Sequence, residues 1–165
     1  MRFENPKLKV VIIAALLLIA FLAMYLALSA GETHAPTQTA TASALAKNQL
    51  QVGSKTISVE MAQTSSELRQ GLSDRESLEQ SSGMYFILGK RDFTTFWMKD
   101  MHFPLDIIWI DGDKIVGIVK NAPVPTTGNI PTFPSPEKVT NVLEVNAGFT
   151  QTNNITVGDL VKMEN

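Results

Sequence analysis

The sequence predicts a mainly β (α+β) fold: a small antiparallel barrel-like or sandwich domain with one short helical segment, preceded by an N-terminal transmembrane helix. Three observations predict it. An uncharged apolar run extends from Val10 to Ala30; several short apolar segments downstream show strand-like patterning; and only one clear helix-start signal interrupts them.

The N-terminal run follows Arg2, Lys7 and Lys9. Roughly 20 apolar residues suffice to cross a bilayer as a helix, and the flanking positive charge favours a cytoplasmic N-terminus. The expected organisation is a cytoplasmic tail over 1–9, a membrane anchor over 10–30, a flexible linker over 31–48 and a folded domain over 49–165. A secretory signal cleaved near Ser29 is the alternative, since Ala27, Ser29 and Ala30 are small. Signal-peptide apolar regions usually run only about 7–15 residues, so the length favours an anchor. Either reading sends the domain outside the cytoplasm, periplasmic or extracellular.

The linker GETHAPTQTATASALAK lacks apolar periodicity, and its His34 reads as solvated. In the domain, Ile57, Val59 and Met61 alternate with polar residues as in a half-buried strand. Thr64 and Glu67 form a capping box, starting a helix that puts Leu68 and Leu72 on one face. A further turn or two of helix is expected over Ser73 to Gln80, then a break at Ser81 to Gly83. Met84 to Leu88 is a compact apolar strand, followed by a turn over Gly89 to Asp92. Thr94 to Met98 is another strand candidate. Leu105 to Asp111 and Lys114 to Lys120 flank Asp111-Gly112-Asp113, a hairpin signal. The five prolines between Ala122 and Lys138 exclude helix and central strand there, and a loop of that length is commonly functional. Thr140 to Val145 and Asp159 to Met163 complete the strand series.

Composition narrows the chemistry. The net charge of -2 over 165 residues gives no basic surface for nucleic acid. Without cysteine there is no disulfide, thiolate nucleophile or Cys-ligated zinc. No cofactor, metal or catalytic set is expected. His102 is the domain's lone histidine and reads as part of a turn. Asp111 and Asp113 are explained by the hairpin rather than by calcium, and Asn154-Ile155-Thr156 is a glycosylation pattern of low specificity.

The ordered set Glu67–Leu72, Arg75, Gly83-Met84, Phe96–Lys99, Pro104–Ile107, Val142–Glu144, Gly148 and Gly158-Asp159 resembles the DUF192 (UPF0127) family over Val52 to Met163. That resemblance implies a single β-rich domain, often exported or tethered, and supplies no activity. The chain departs from the familiar pattern at Asp100-Met101, at Phe103 and in the proline-rich loop.

Five residues are candidates for a ligand site. Alternation along a strand puts Trp97 and Lys99 on one face, a stacking platform beside a cation. Asp106 opens an apolar strand and needs a partner; Lys99, Arg75 and Arg69 are the available cations, and pairing with Lys99 is the expected arrangement. Arg75 and the proline-rich loop complete the predicted face, with the loop as a lid. Glu144 is either a solvated glutamate or a second carboxylate facing Asp106. The expected role is therefore a non-catalytic binding module for an envelope glycan or small polar ligand. The alternative is a hydrolase of envelope carbohydrate or a small ester working through Asp106 and Glu144.

Overall fold

A computed structural model describes residues 48–164. The predicted membrane helix, the cytoplasmic tail and nearly all of the linker lie outside the described residues. Among those described, no helix is long and apolar enough to cross a membrane.

Nine strands and two short helices follow one another: β1 (Asn48–Val52), β2 (Lys55–Ala62), α1 (Ser65–Gln70), β3 (Ser82–Asp92), β4 (Thr95–Trp97), β5 (Leu105–Asp111), β6 (Lys114–Ala122), β7 (Thr132–Pro134), β8 (Val139–Asn146), α2 (Phe149–Thr152) and β9 (Val161–Met163). Seven strands form one sheet in the order β6-β5-β8-β3-β2-β1-β9, while β4 and β7 make a separate two-stranded ribbon. The large sheet curls into a half-barrel whose edges meet. Lys114 bridges to Leu160, and backbone hydrogen bonds run from Gly158 N to Ile115 O and from Val161 N to Asp113 O, both at 2.8 Å.

The mainly β expectation holds, with one change of direction. β2 and β3 pair in parallel, so the chain must cross back over the sheet between them. The capped helix α1 lies in that crossover, and its box is formed as expected: Glu67 N donates to Thr64 Oγ1 at 3.3 Å, and Thr64 N donates to Glu67 Oε2 at 2.9 Å. The helix stops at Gly71, whose φ of 50° and ψ of -132° leave the helical region. Ser73 to Gln80 forms turns and loop rather than the further helix expected. β3 is also longer than expected. It runs through Gly89 to Asp92, where a register irregularity against β8 takes the place of the expected turn.

Both faces of the sheet are buried, which accounts for the nearly unbroken apolar run Leu105 to Ile110. On one face, residues from all seven strands meet around Leu50, Ile57, Ile108, Ile110 and Leu143. On the other, Leu105, Ile107 and Trp109 join Phe86, Met98 and Val142 in a second core. The β4–β7 ribbon lies against this second core. Phe96 stands edge-on to Phe86 at 4.9 Å and to Trp109 at 5.5 Å.

The proline-rich segment is more ordered than expected. Thr132 to Pro134 pairs with β4, and a tight turn links Thr126 and Asn129 through reciprocal backbone bonds of 3.1 and 2.9 Å. Proline fits here because β7 is an edge strand of a two-stranded ribbon.

Candidate functional site

Where α1 ends against the β4 ribbon, a cleft of about 290 Å³ opens over the second core. Leu72, Phe86, Leu88, Phe96 and Met101 line its apolar wall, and Ser73, Thr94 and Thr95 add hydroxyls. Arg69 and Trp97 also line it, both exposed, Trp97 to 49 %. One side is pinned to the turn after β4: Ser73 Oγ donates to Lys99 O and Asp74 N to Asp100 O, each at 2.8 Å. The ribbon side is fixed by Ser135 N donating to Thr94 O at 2.8 Å.

Glu144 is the cleft's buried charged residue. It sits on β8 opposite Met84 of β3 and Ile107 of β5, so its strand neighbours are apolar on both sides. The residue is 4 % exposed and lines the cleft, and its carboxyl makes no hydrogen bond or ion pair among the described residues. Burial alone pushes its pKa up to about 8, since a charged carboxylate in apolar surroundings loses hydration without a compensating partner. Gly71 is what leaves the carboxyl accessible. A Cβ there would lie 3.3 Å from the Phe86 ring and 3.9 Å from Glu144 Oε2, so any side chain would crowd the opening.

The other predicted site residues separate. Asp106 is fully buried, but its partners are not cations. Asn121 N (2.9 Å) and Gly148 N (3.1 Å) donate to Oδ1, while Thr150 N (2.9 Å) and Thr150 Oγ1 (2.6 Å) donate to Oδ2. The carboxyl thus ties β5 to the end of β6 and to the first turn of α2. Backbone amides and one hydroxyl satisfy it, in place of the expected cation.

Lys99 pairs instead with its neighbour Asp100 on the exposed turn after β4. β4 ends at Trp97, so strand alternation does not reach Lys99, which does not line the cleft. Arg75 makes a two-pronged pair with Glu60 of β2, 2.7 Å at each prong, and is likewise absent from the cleft lining. Of the five residues predicted to share a site, the cleft brings together Trp97 and Glu144. Arg69 and Gly71 also line it; the sequence marks Arg69 as a cation and both as part of the Glu67–Leu72 stretch, without pointing to the cleft.

The paired-carboxylate alternative also fails on geometry. In the β5–β8 register Asp106 lies opposite Val145 and Glu144 lies opposite Ile107. Val145 belongs to the first core and Ile107 to the second, so the two acids leave opposite faces of the sheet. They cannot flank one scissile bond. His102 is exposed, and among the described residues no three His, Cys, Asp or Glu side chains gather as a metal would require.

Comparison with known proteins gives a consistent family and no activity. Similar solved structures include two from bacteria. A protein of Sinorhizobium meliloti 1021, proposed to be a transcription regulator, is 30% identical with a TM-score of 0.67, over 72% of this chain and 95% of that one. A protein of unknown function from Novosphingobium aromaticivorans DSM 12444 is 31% identical with a TM-score of 0.64, over 69% of this chain and 83% of that one. Among curated proteins none matches. The family model DUF192, described as "Uncharacterized ACR, COG1430", matches residues 47–163, which span the folded domain, and the chain belongs to that family.

Proposed function

We propose that this protein is a membrane-tethered, extracytoplasmic binding domain whose cleft beside α1 takes a small ligand, such as an envelope sugar unit or another compact molecule with a polar end. The observation that carries the reading is Glu144, a nearly buried carboxyl that has no partner among the described residues and lines an aromatic cleft. Small-ligand sites are typically apolar pockets with a few well-placed polar groups. An unpartnered buried carboxyl costs folding energy, and a ligand that bonds to it offsets that cost. Trp97 at the cleft adds an amphipathic ring suited to a sugar or an apolar ligand body.

The tether rests on the sequence alone, on Val10 to Ala30 behind Arg2, Lys7 and Lys9. It makes the protein a single-pass species with its N-terminus in the cytoplasm. The experiment is titration of the detergent-solubilised full chain with mono- and disaccharides and with small polar aromatics, followed by tryptophan fluorescence. Because Trp109 is buried, a saturable change should come from Trp97, vanish in Trp97→Phe and weaken at least about tenfold in Glu144→Gln. Silence across all ligands, or glycan turnover that depends on Glu144, contradicts the reading.

A further inference from the structure

We propose that the ligand of this cleft is an organic cation, an ammonium group carried on an apolar or aromatic body, held with its charge against the Glu144 carboxylate. This deepens the binding reading above and rests on it.

Among the described residues the geometry supplies a carboxyl in apolar surroundings and no cation paired with it. Glu144 emerges between Met84 and Ile107, and Phe86 and Gly71 line the cleft beside it, from β3 and from the end of α1. None of these carries charge. Arg69 is the other charged residue lining the cleft; it is exposed on α1 and does not enter among the influences on Glu144. A neutral ligand leaves the carboxyl to remain protonated. An anionic one adds negative charge where burial already opposes it. A cation instead supplies the missing partner, and Phe86, Phe96 and Trp97 line a cleft suited to it, since aromatic rings attract cations within about 6 Å. Arg69 then disfavours a second positive charge on the ligand and selects a monocation or a zwitterion.

A proton must move when such a ligand binds. Burial holds the carboxyl protonated up to about pH 8, so at neutral pH the arriving cation displaces that proton to solvent. Affinity for a permanent cation should therefore rise as pH rises, by about tenfold between pH 7 and pH 9, and level off above that. A carboxylate ligand that accepts a hydrogen bond from protonated Glu144 should show the reverse trend.

The test is isothermal titration calorimetry of the full chain with benzyltrimethylammonium, benzyl alcohol and benzoate, from pH 6 to pH 9, in two buffers of different ionisation enthalpy. The expected result is binding of the ammonium that tightens about tenfold from pH 7 to pH 9 and releases about one proton at pH 6, with the other two weaker. Glu144→Gln, checked for folding by circular dichroism, should abolish the pH dependence and keep weak benzyl alcohol binding. Trp97→Ala should weaken the cation without changing the pH slope. Ammonium affinity that is flat or falls with pH, or is unchanged in Glu144→Gln, overturns the proposal. Binding of benzyl alcohol or benzoate without the ammonium overturns it too, yet leaves the cleft as a ligand site. Failure of all three probes counts against both.

Discussion

Asp106 on β5 and Glu144 on β8 stand one residue apart in register on adjacent strands, and their side chains leave opposite faces of the sheet. Two buried acids that are close in the ladder are thereby kept chemically separate. Asp106 is saturated by four donors and holds loops together, whereas Glu144 has no donor among the described residues and lines a cleft. The difference lies in what surrounds each carboxyl.

Asp106→Ala should destabilise the domain by about 3–5 kcal/mol, because it strands the buried amide and hydroxyl of Thr150 and the half-buried amide of Gly148. Asp106→Asn keeps one acceptor oxygen and should cost less, about 1–3 kcal/mol. Urea denaturation of both variants measures the difference. Wild-type midpoints in both would remove Asp106 from its structural role.

Glu144 should make stability fall with rising pH. Its folded pKa of about 8 lies above the ordinary carboxylate range, so between about pH 4.5 and pH 8 the folded state holds a proton that the unfolded chain has released. Stability is therefore highest at the acid end of this window, declines by roughly a few kcal/mol across it and flattens above pH 8. Glu144→Gln removes this contribution. Denaturation midpoints of the two proteins should diverge between pH 5 and pH 9 in favour of the variant; parallel curves contradict the assignment.

The Arg75–Glu60 fork joins the α1–β3 crossover to β2. Arg75 is about one-third exposed, which limits its worth to about 1 kcal/mol. Arg75→Lys keeps the charge but loses the planar fork and should recover less than half of that. A double-mutant cycle with Glu60→Gln isolates the coupling, and no coupling would leave the pair without a stabilising role.

Gly83 sits on β3 opposite Val145 of β8. A Cβ there would lie 2.8 Å from the backbone oxygen of Glu144 and 3.0 Å from Val145 Cγ1. Gly83→Ala must push the two strands apart and should cost about 1–3 kcal/mol. Thermal unfolding checks this, and an unchanged melting temperature would show that the strands yield freely.

The local signals in the sequence were reliable where one short-range cause acts alone. The Thr64–Glu67 capping box, the Asp111–Lys114 hairpin and the alternation at Ile57 and Val59 all reappear as read. What failed depends on distant partners. Parallel pairing of β2 with β3 is decided by the crossover path, which no pattern in either strand encodes. Asp106 was assigned a cation because charge is visible in sequence, while the backbone amides of Gly148 and Thr150 become donors only once α2 is placed. Lys99 and Trp97 parted because the strand ends at Trp97, and alternation has no meaning in the turn that follows. Glu144 kept both readings open until β8 was flanked by β3 and β5.

The central claim is that Glu144 is a carboxyl left unpaired in a ligand cleft, and its own titration tests that most directly. Carbon-13 NMR of the glutamate side-chain carboxyls in the ligand-free full chain, with Glu144→Gln identifying the resonance, should show a midpoint near pH 8. A midpoint in the ordinary carboxylate range near about pH 4.3 would mean that Glu144 is solvated or paired, and would contradict the account.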